Sequence, residues 1–125
     1  MATHNITQSW SRNGEAVSVT VEMSGSGEVN LDETIAASQT NKLVTFVCDV
    51  SAMTSLFISC DETITIKTND STTPDDTITV TADKPIVWYT ACGHDNPFSV
   101  DVTKLYITTT NESALKIRLL QDATP

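Results

Sequence analysis

Basic residues are scarce in this sequence. Seven Lys and Arg residues stand against 16 Asp and Glu residues, which gives a formal net charge of −9 at pH 7. Binding to a phosphate backbone relies on clustered basic side chains that displace counterions, and this chain has no such cluster. We therefore expect no direct nucleic-acid partner, and the same charge disfavours an anionic membrane surface.

Long apolar runs are missing as well. No stretch approaches the roughly 18 apolar residues that a transmembrane helix requires. The first five residues, Met1 to Asn5, have neither the basic nor the apolar segment of a secretory signal, so we predict synthesis in a cytoplasm without that route of export. At 125 residues the chain has the length of one domain with a substantial core.

Cysteine and histidine are too few to suggest a redox or metal framework. The three cysteines, Cys48, Cys60 and Cys92, form no Cys-x-x-Cys pair, which favours reduced thiols, although one disulfide stays open as an alternative. His4 and His94 are the only histidines. A Cys/His metal site would need further ligands at fixed spacing. We predict no metal and no cofactor.

One loop brings a thiol, an imidazole and a carboxylate together, at Cys92, His94 and Asp95. Catalytic sets of this kind are assembled by the fold from distant residues, with the base oriented by a third group, and neighbours in one loop seldom point at each other. We therefore predict no catalytic residues and no enzyme.

Three acidic side chains, Asp70, Asp75 and Asp76, surround Pro74 in the longest predicted loop. Carboxylates clustered in a loop can bind calcium, but the regular spacing of a calcium-binding loop is missing. Asx residues beside a proline are typical of turns. These aspartates are expected to cap turns.

The fold signal is a succession of short alternating strands. About ten of them, separated by turn residues, predict an all-β antiparallel β-sandwich of the jelly-roll or Greek-key type with little or no helix. Asn13-Gly14 predicts a hairpin turn before the period-two strand Val17–Met23. Leu43–Val50 has apolar residues on both faces, which predicts a central strand. Residues 1–125 are expected to form one domain, with 1–11 an N-terminal arm or edge strand and 121–125 a short tail.

One pattern occurs twice. Leu56–Cys60 leads through Asp61-Glu62 into Thr63–Lys67, and Leu105–Thr108 leads through a polar turn into Leu115–Arg118. The repetition predicts two similar hairpins that face each other across one core. Two copies are too few for a solenoid or a propeller.

The pattern of the whole chain resembles that of small virion proteins of tailed bacteriophages. These are acidic, Thr-rich β-sandwiches that decorate or cement the capsid. The segments that carry the resemblance are Gln8–Ser11, Val17–Glu22, Pro74–Val80, Lys84–Trp88 and Leu119–Pro125.

The resemblance implies a non-enzymatic structural role on the outer capsid surface, with the major capsid protein and further copies of the chain, as a dimer or trimer, as partners. It carries over no site residues. From the residues themselves, the candidates for partner contact are Ile6, Trp10, Trp88, Tyr89 and Phe98.

Two alternatives remain open. One is another virion part, such as a head–tail connector or a tail component. The other is a carbohydrate-binding or adhesive module in which Trp10, Trp88 and Tyr89 stack on sugar rings.

Overall fold

The computed structural model describes residues 2–122, and ten antiparallel strands make up most of this range. A single turn of 3-10 helix, Val50–Ala52, precedes the fifth strand, and no helix of residues 2–122 is long and apolar enough to span a membrane. The strands are β1 Ala2–Arg12, β2 Glu15–Gly25, β3 Gly27–Ile35, β4 Lys42–Cys48, β5 Met53–Cys60, β6 Ile64–Thr68, β7 Thr77–Val80, β8 Ile86–Tyr89, β9 Val102–Thr109 and β10 Ser113–Gln121.

Eight of these strands form a sandwich of two four-stranded sheets. The β3 sheet has the order β3-β10-β5-β8, and the β4 sheet has the order β4-β9-β6-β7. The chain from β3 to β10 therefore pairs like one long hairpin, β3 with β10, β4 with β9, β5 with β8 and β6 with β7, rolled up so that β10 also meets β5 and β9 meets β6. This is a jelly roll, one of the two predicted alternatives, and the predicted all-β sandwich is confirmed.

The core lies between the two sheets and takes one residue in two from each strand. Ile58 and Ile117 from the β3 sheet, and Ile66 and Ile107 from the β4 sheet, are all fully buried. Alternation of apolar and polar residues is what a sheet with one face on a core and one face in water requires. The predicted strand pattern thus places the core correctly.

The two repeated segments are corners between the sheets and not hairpins, so that part of the prediction is wrong. β5 and β6 lie in opposite sheets, as do β9 and β10. A tight hairpin needs backbone at positive φ in its turn. Residues at positive φ include Gly14 in the turn between β1 and β2 but none between Cys60 and Ile64 or between Thr109 and Ser113.

The repetition itself has a structural basis, because the two corners pair with each other. Ile58 of the first segment lies opposite Ile117 of the second, and Ile107 of the second lies opposite Ile66 of the first. Equivalent positions of the two segments therefore exchange places between the two pairs, as they would under an internal two-fold rotation. The Asp61 carboxylate, at the first corner, accepts a hydrogen bond of 2.8 Å from the backbone of Ala114 at the second.

The prediction that Leu43–Val50 forms a central strand is also wrong. β4 is an edge strand of its sheet. Val44, Phe46 and Cys48 face the core, whereas Leu43 and Val47 are 53% and 59% exposed on the outer face. Apolar residues on both faces indicate burial on both faces only where another layer covers the second face, and no part of residues 2–122 covers this one.

The first two strands stand apart from the sandwich as a hairpin, Ala2–Gly25, which we call the arm. The predicted Asn13-Gly14 turn is confirmed, since Arg12 pairs with Glu15 and Gly14 has a φ of 75°. Residues 2–12 are thus one strand of a two-stranded sheet. Of the predicted tail, Gln121 ends β10, while Ala123 to Pro125 lie outside the described residues, as does Met1.

Candidate functional site

The arm has one polar and one apolar face. In an antiparallel pair, opposed residues point to the same side of the sheet, and here they sort by polarity. Ser9 pairs with Ser18 and Thr7 with Thr20 on one face, whereas Trp10 pairs with Val17 on the other. The apolar face is made of His4, Ile6, Gln8, Trp10, Val17, Val19, Val21 and Met23.

Only half of this apolar face is covered by the protein itself. Ile6 is 9% exposed, and its pair residue Val21 is half-buried. Farther along the same face, Trp10 is 51% exposed and Val17 and Val19 are each 56% exposed. We call Thr7–Thr20 the outer half of the arm, and all of its residues are exposed. Six residues of strand from Thr7 to Arg12 extend for about 20 Å.

The inner half of the arm is fastened to the outer face of the β3 sheet by His4. Its Nε2 lies 2.6 Å from a Glu28 carboxylate oxygen, and its Nδ1 lies 3.2 Å from the Ser55 hydroxyl. An ionised carboxylate can only accept hydrogen bonds, so the Nε2–H of His4 is the donor and the Glu28 oxygen is the acceptor. This hydrogen bond lowers the pKa of the Glu28 carboxyl below its ordinary value.

A Ser, a His and a Glu in hydrogen-bonded sequence are also the parts of a nucleophilic triad, but the surroundings here favour an anchor. Ser55 is 1% exposed in the middle of β5, paired with Leu120 on one side and Tyr89 on the other. Its backbone groups are therefore engaged in the sheet and are not available as donors to an oxyanion. The contact ties the arm to the sandwich.

A pocket of about 300 Å³ opens beside this anchor, between the arm and the β3 sheet. It is lined mainly by His4, Ile6, Ser55, Phe57 and Arg118. Arg118, its one cation, is held by Asp32 through two contacts of 2.8 and 3.1 Å and by the carbonyl of Leu31. The pocket thus has an apolar floor and a guanidinium that is already paired.

Two of the aromatic residues predicted to touch a partner, Trp88 and Tyr89, do not lie on one surface. Trp88 and Tyr89 are both half-buried, and as consecutive strand residues they point to opposite faces of β8. Trp88 faces the core, and its indole N–H donates to the His94 carbonyl at 3.0 Å. The two rings therefore do not form one platform.

Phe98 belongs to the core and not to a surface. It is 1% exposed, and its ring centroid lies 6.3 Å from that of Phe46. The reason is local, since the backbone N–H of Phe98 donates to the Asn96 side chain at 3.0 Å and the turn directs the ring inward. Of the five predicted contact residues, Trp10 is the one that is largely exposed.

The loop with Cys92, His94 and Asp95 contributes a backbone carbonyl to the packing of Trp88. The Cys92 thiol lies 3.7 Å from the His94 carbonyl, the same oxygen that accepts from Trp88. The loop thereby holds the Trp88 ring in place. The other two cysteines are buried, and burial raises the pKa of the Cys48 thiol to about 11.

The acidic loop between β6 and β7 uses its carboxylates as caps. Asp70 accepts from the backbone of Thr72 and Thr73, which lowers the pKa of its carboxyl, and Asp76 accepts from the backbone and hydroxyl of Ser99. Within residues 2–122 no three His, Cys, Asp or Glu side chains come together as metal ligands.

A second exposed apolar surface lies on the outside of the β4 sheet. We call it the β4 face, and it consists of Leu43 and Val47 with Tyr106, which pairs with Leu43. The four strands of this sheet contain no Asp or Glu, although the chain has 16, and they contain Lys42, Lys67 and Lys104. Lys67 and Lys104 share the outer face with Tyr106, whereas Lys42 lies on the side of Val44 at the start of β4, so the β4 face is an apolar surface flanked by two lysines.

Sequence reasoning missed the β4 face because alternation cannot distinguish a covered outer face from an open one. Charge does not single it out either, because eight of the ten strands contain no Asp or Glu. Comparisons with known proteins add no further assignment, since no family model, curated protein or solved structure matches this chain.

Proposed function

We propose that this protein is a non-enzymatic virion structural protein that decorates and cements the outer face of a tailed-phage capsid. The observation that carries the proposal is the arm, a projecting hairpin whose outer apolar side chains, Trp10, Val17 and Val19, are more than half exposed. Exposed apolar surface of this kind is typical of a subunit that is completed by its neighbours in an assembly.

The physics of a two-stranded sheet supports this reading of the arm. An isolated hairpin is marginally stable in water because each strand pairs on one side only. The inner half is supported by the sandwich through Ile6 and the His4 contacts, whereas the outer half has no such support. Contact with a neighbour would stabilise it, and a long, ready-paired ribbon loses less conformational entropy on docking than a free tail.

The charge of the protein supports a place on the outside of a shell. A net charge of −9 repels packaged nucleic acid. A cement protein stabilises by linkage, because a ligand that binds the assembled shell and not its separated subunits shifts the equilibrium towards the shell, and more so when it binds at several points. No catalytic group is needed for that role.

The proposal is tested by sedimentation with capsids. Purified protein is mixed with undecorated capsids from a candidate phage and, in a parallel sample, with the dissociated capsid protein of the same phage. We expect saturable co-sedimentation at a fixed ratio with the capsids, no complex with the free subunits, and a higher temperature for capsid disruption. The proposal fails if no ratio of the two components gives co-sedimentation.

The same mixture separates the alternative virion roles. Electron microscopy of the complexes would place a decoration protein all over the shell, whereas a connector or tail component would be found only at one vertex or along the tail. Labelling confined to those places would replace the decoration role by the alternative.

A further inference from the structure

We infer that the outer half of the arm packs on the β4 face of a second copy of this chain, so that each copy gives one arm and receives one in a closed homo-oligomer. The inference deepens the proposed function by naming the arm's partner. It concerns the purified protein by itself, so its test does not depend on a capsid.

The first step is the continuity of the apolar face. At its inner half, the apolar face of the arm already packs on the outer face of the chain's own β3 sheet, where Ile6 and Leu120 are buried. The same face continues beyond the sandwich through Val19 and Val17. What the outer half lacks is a further stretch of sheet surface to pack on, and the outer face of a second sandwich is a surface of that kind.

The second step is that the same molecule carries a matching open surface. Among residues 2–122 there are six large apolar side chains that are strongly exposed, three on the arm and two, Leu43 and Val47, on the β4 face; the sixth is Val100. Both surfaces are built from β-strands, so their side chains stand in rows that can interdigitate as two packed sheets do. A contact between different surfaces of identical chains satisfies both at once.

The third step is charge. Two copies of a −9 protein repel each other over most of their surface. The charged residues in the outer half of the arm are Arg12 and Glu15, one of each sign, which lie opposite each other in the strand register beside the turn. The outer face of the β4 sheet contributes Lys67 and Lys104 and no carboxylate from its strands, although Asp70 of the neighbouring loop is close enough to Lys104 for the lysine to lower its pKa. These two surfaces are therefore where copies of this protein meet with the least repulsion.

The fourth step is area. Stable interfaces bury about 800 Å² per partner and use roughly 20–30 residues a side. The outer half of the arm has 14 exposed residues, from Thr7 to Thr20, and about half of them lie on the face that would pack. One arm is thus at most half of such an interface. When each copy both gives and receives an arm, the contribution of each copy doubles.

Packing of two arms against each other fits these observations less well. That arrangement would cover Trp10, Val17 and Val19, but it would leave Leu43 and Val47 in water at 53% and 59% exposure. It would also use only one arm's surface per copy, at most half of what a stable interface buries. The two arrangements differ in whether the β4 face is needed, and this difference decides the experiment.

The test is the native mass of the purified chain across a concentration series, by analytical ultracentrifugation and native mass spectrometry. The arm variant is Val17→Thr with Val19→Thr, which keeps shape and strand propensity but adds hydroxyls. The acceptor variant is Leu43→Thr with Val47→Thr. The matched control, Ser18→Thr with Thr20→Ser, changes the polar face of the same strand. Circular dichroism checks that all four proteins are folded.

We expect the wild type and the control to form a defined oligomer, and the arm and acceptor variants each to sediment as the 13.5 kDa chain at the same concentration. We further expect an equal mixture of the arm and acceptor variants to associate more weakly than the wild type, because each pair has one intact contact, between the arm of the acceptor variant and the β4 face of the arm variant. A monomeric wild type at every concentration overturns the inference. So does an acceptor variant that remains oligomeric at the concentration where the wild type does.

Failure of this inference and failure of the proposed function are separable. A chain that oligomerises as described but never co-sediments with capsids keeps the arm exchange and removes the virion role. A chain that stays monomeric by itself yet saturates capsids keeps the virion role and removes the arm exchange.

Discussion

The arm and the sandwich are both made of alternating antiparallel strands, but the alternation has opposite consequences in the two regions. In the sandwich, the apolar side of each strand meets a second sheet, so that Ile58 and Ile117 are fully buried. In the outer half of the arm, the same period leaves Val17 and Val19 in water. A strand pattern therefore specifies which residues share a face, while burial depends on whether another layer lies above that face. Four measurements test this contrast.

The largest effect is expected in the core. Ile117→Ala removes a side chain with 0% exposure from the central strand β10, between two paired neighbours. Truncation of a buried Ile typically costs about 2–5 kcal/mol of unfolding free energy, because transfer and cavity terms add. We expect a loss in this range in urea denaturation monitored by circular dichroism. A loss below about 1 kcal/mol would mean that this part of the sandwich is not tightly packed.

The next effect concerns the junction between the two regions. A Cβ at Gly25 would lie 2.7 Å from the backbone oxygen of Gln121, whereas a Cβ at Gly27 would lie 3.3 Å from the flexible Gln121 side chain and 3.6 Å from the same oxygen, an ordinary contact. We expect Gly25→Ala to cost about 1–3 kcal/mol, since backbone must move to accommodate it. Gly27→Ala is the control and is expected to cost less. Equal thermal midpoints for the two variants would contradict the close approach at Gly25.

A smaller effect is expected from the anchor at the base of the arm. In His4→Ala, Glu28 loses the donor that lowers its pKa, so its pKa should rise towards the ordinary value. A carboxyl whose pKa is lower in the folded protein adds stability above its ordinary pKa and loses that contribution as the pH falls through the lowered pKa. The variant should therefore lose less stability on acidification than the wild type. Carboxyl NMR titration of Glu28 measures the shift, and an unchanged pKa would rule out the contact.

The smallest effect is expected on the arm. At a concentration where the chain is monomeric, Val19→Thr should change the unfolding free energy by less than about 0.5 kcal/mol, since an exposed side chain contributes little. The same denaturation experiment as for Ile117→Ala gives the value. A loss comparable to that of the core variant would show that the outer half of the arm is buried within a single chain.

Much of the fold follows from local patterns. The Asn13-Gly14 turn and the alternation in Val17–Met23 predict the hairpin of the arm, and the short strands predict a sandwich. These features depend on neighbours in sequence or on the period of one strand, and such signals are present in the residues themselves.

The features that were predicted wrongly depend on partners that local sequence does not encode. The turn at Asp61 is a corner and not a hairpin because the next strand joins the other sheet. Leu43 and Val47 are apolar strand residues like those of the core, and they are exposed because no layer covers them. Phe98 is a predicted partner contact, yet it is buried and its ring packs on Phe46. The His4 anchor joins residues 24 and 51 positions apart, which no motif would have linked.

The rolled pairing of the sandwich also sets an order of events during folding. Gly27 pairs with Gln121, 94 residues later, and β10 lies between β3 and β5. The β3 sheet therefore closes only after a long loop has been ordered, which makes such folds slow. The arm, by contrast, pairs residues across a two-residue turn and can form within microseconds. For a time, the arm of a nascent chain opens and closes without a finished sandwich to support it, so high concentrations of newly made chains are the condition under which this protein is most exposed to misassembly.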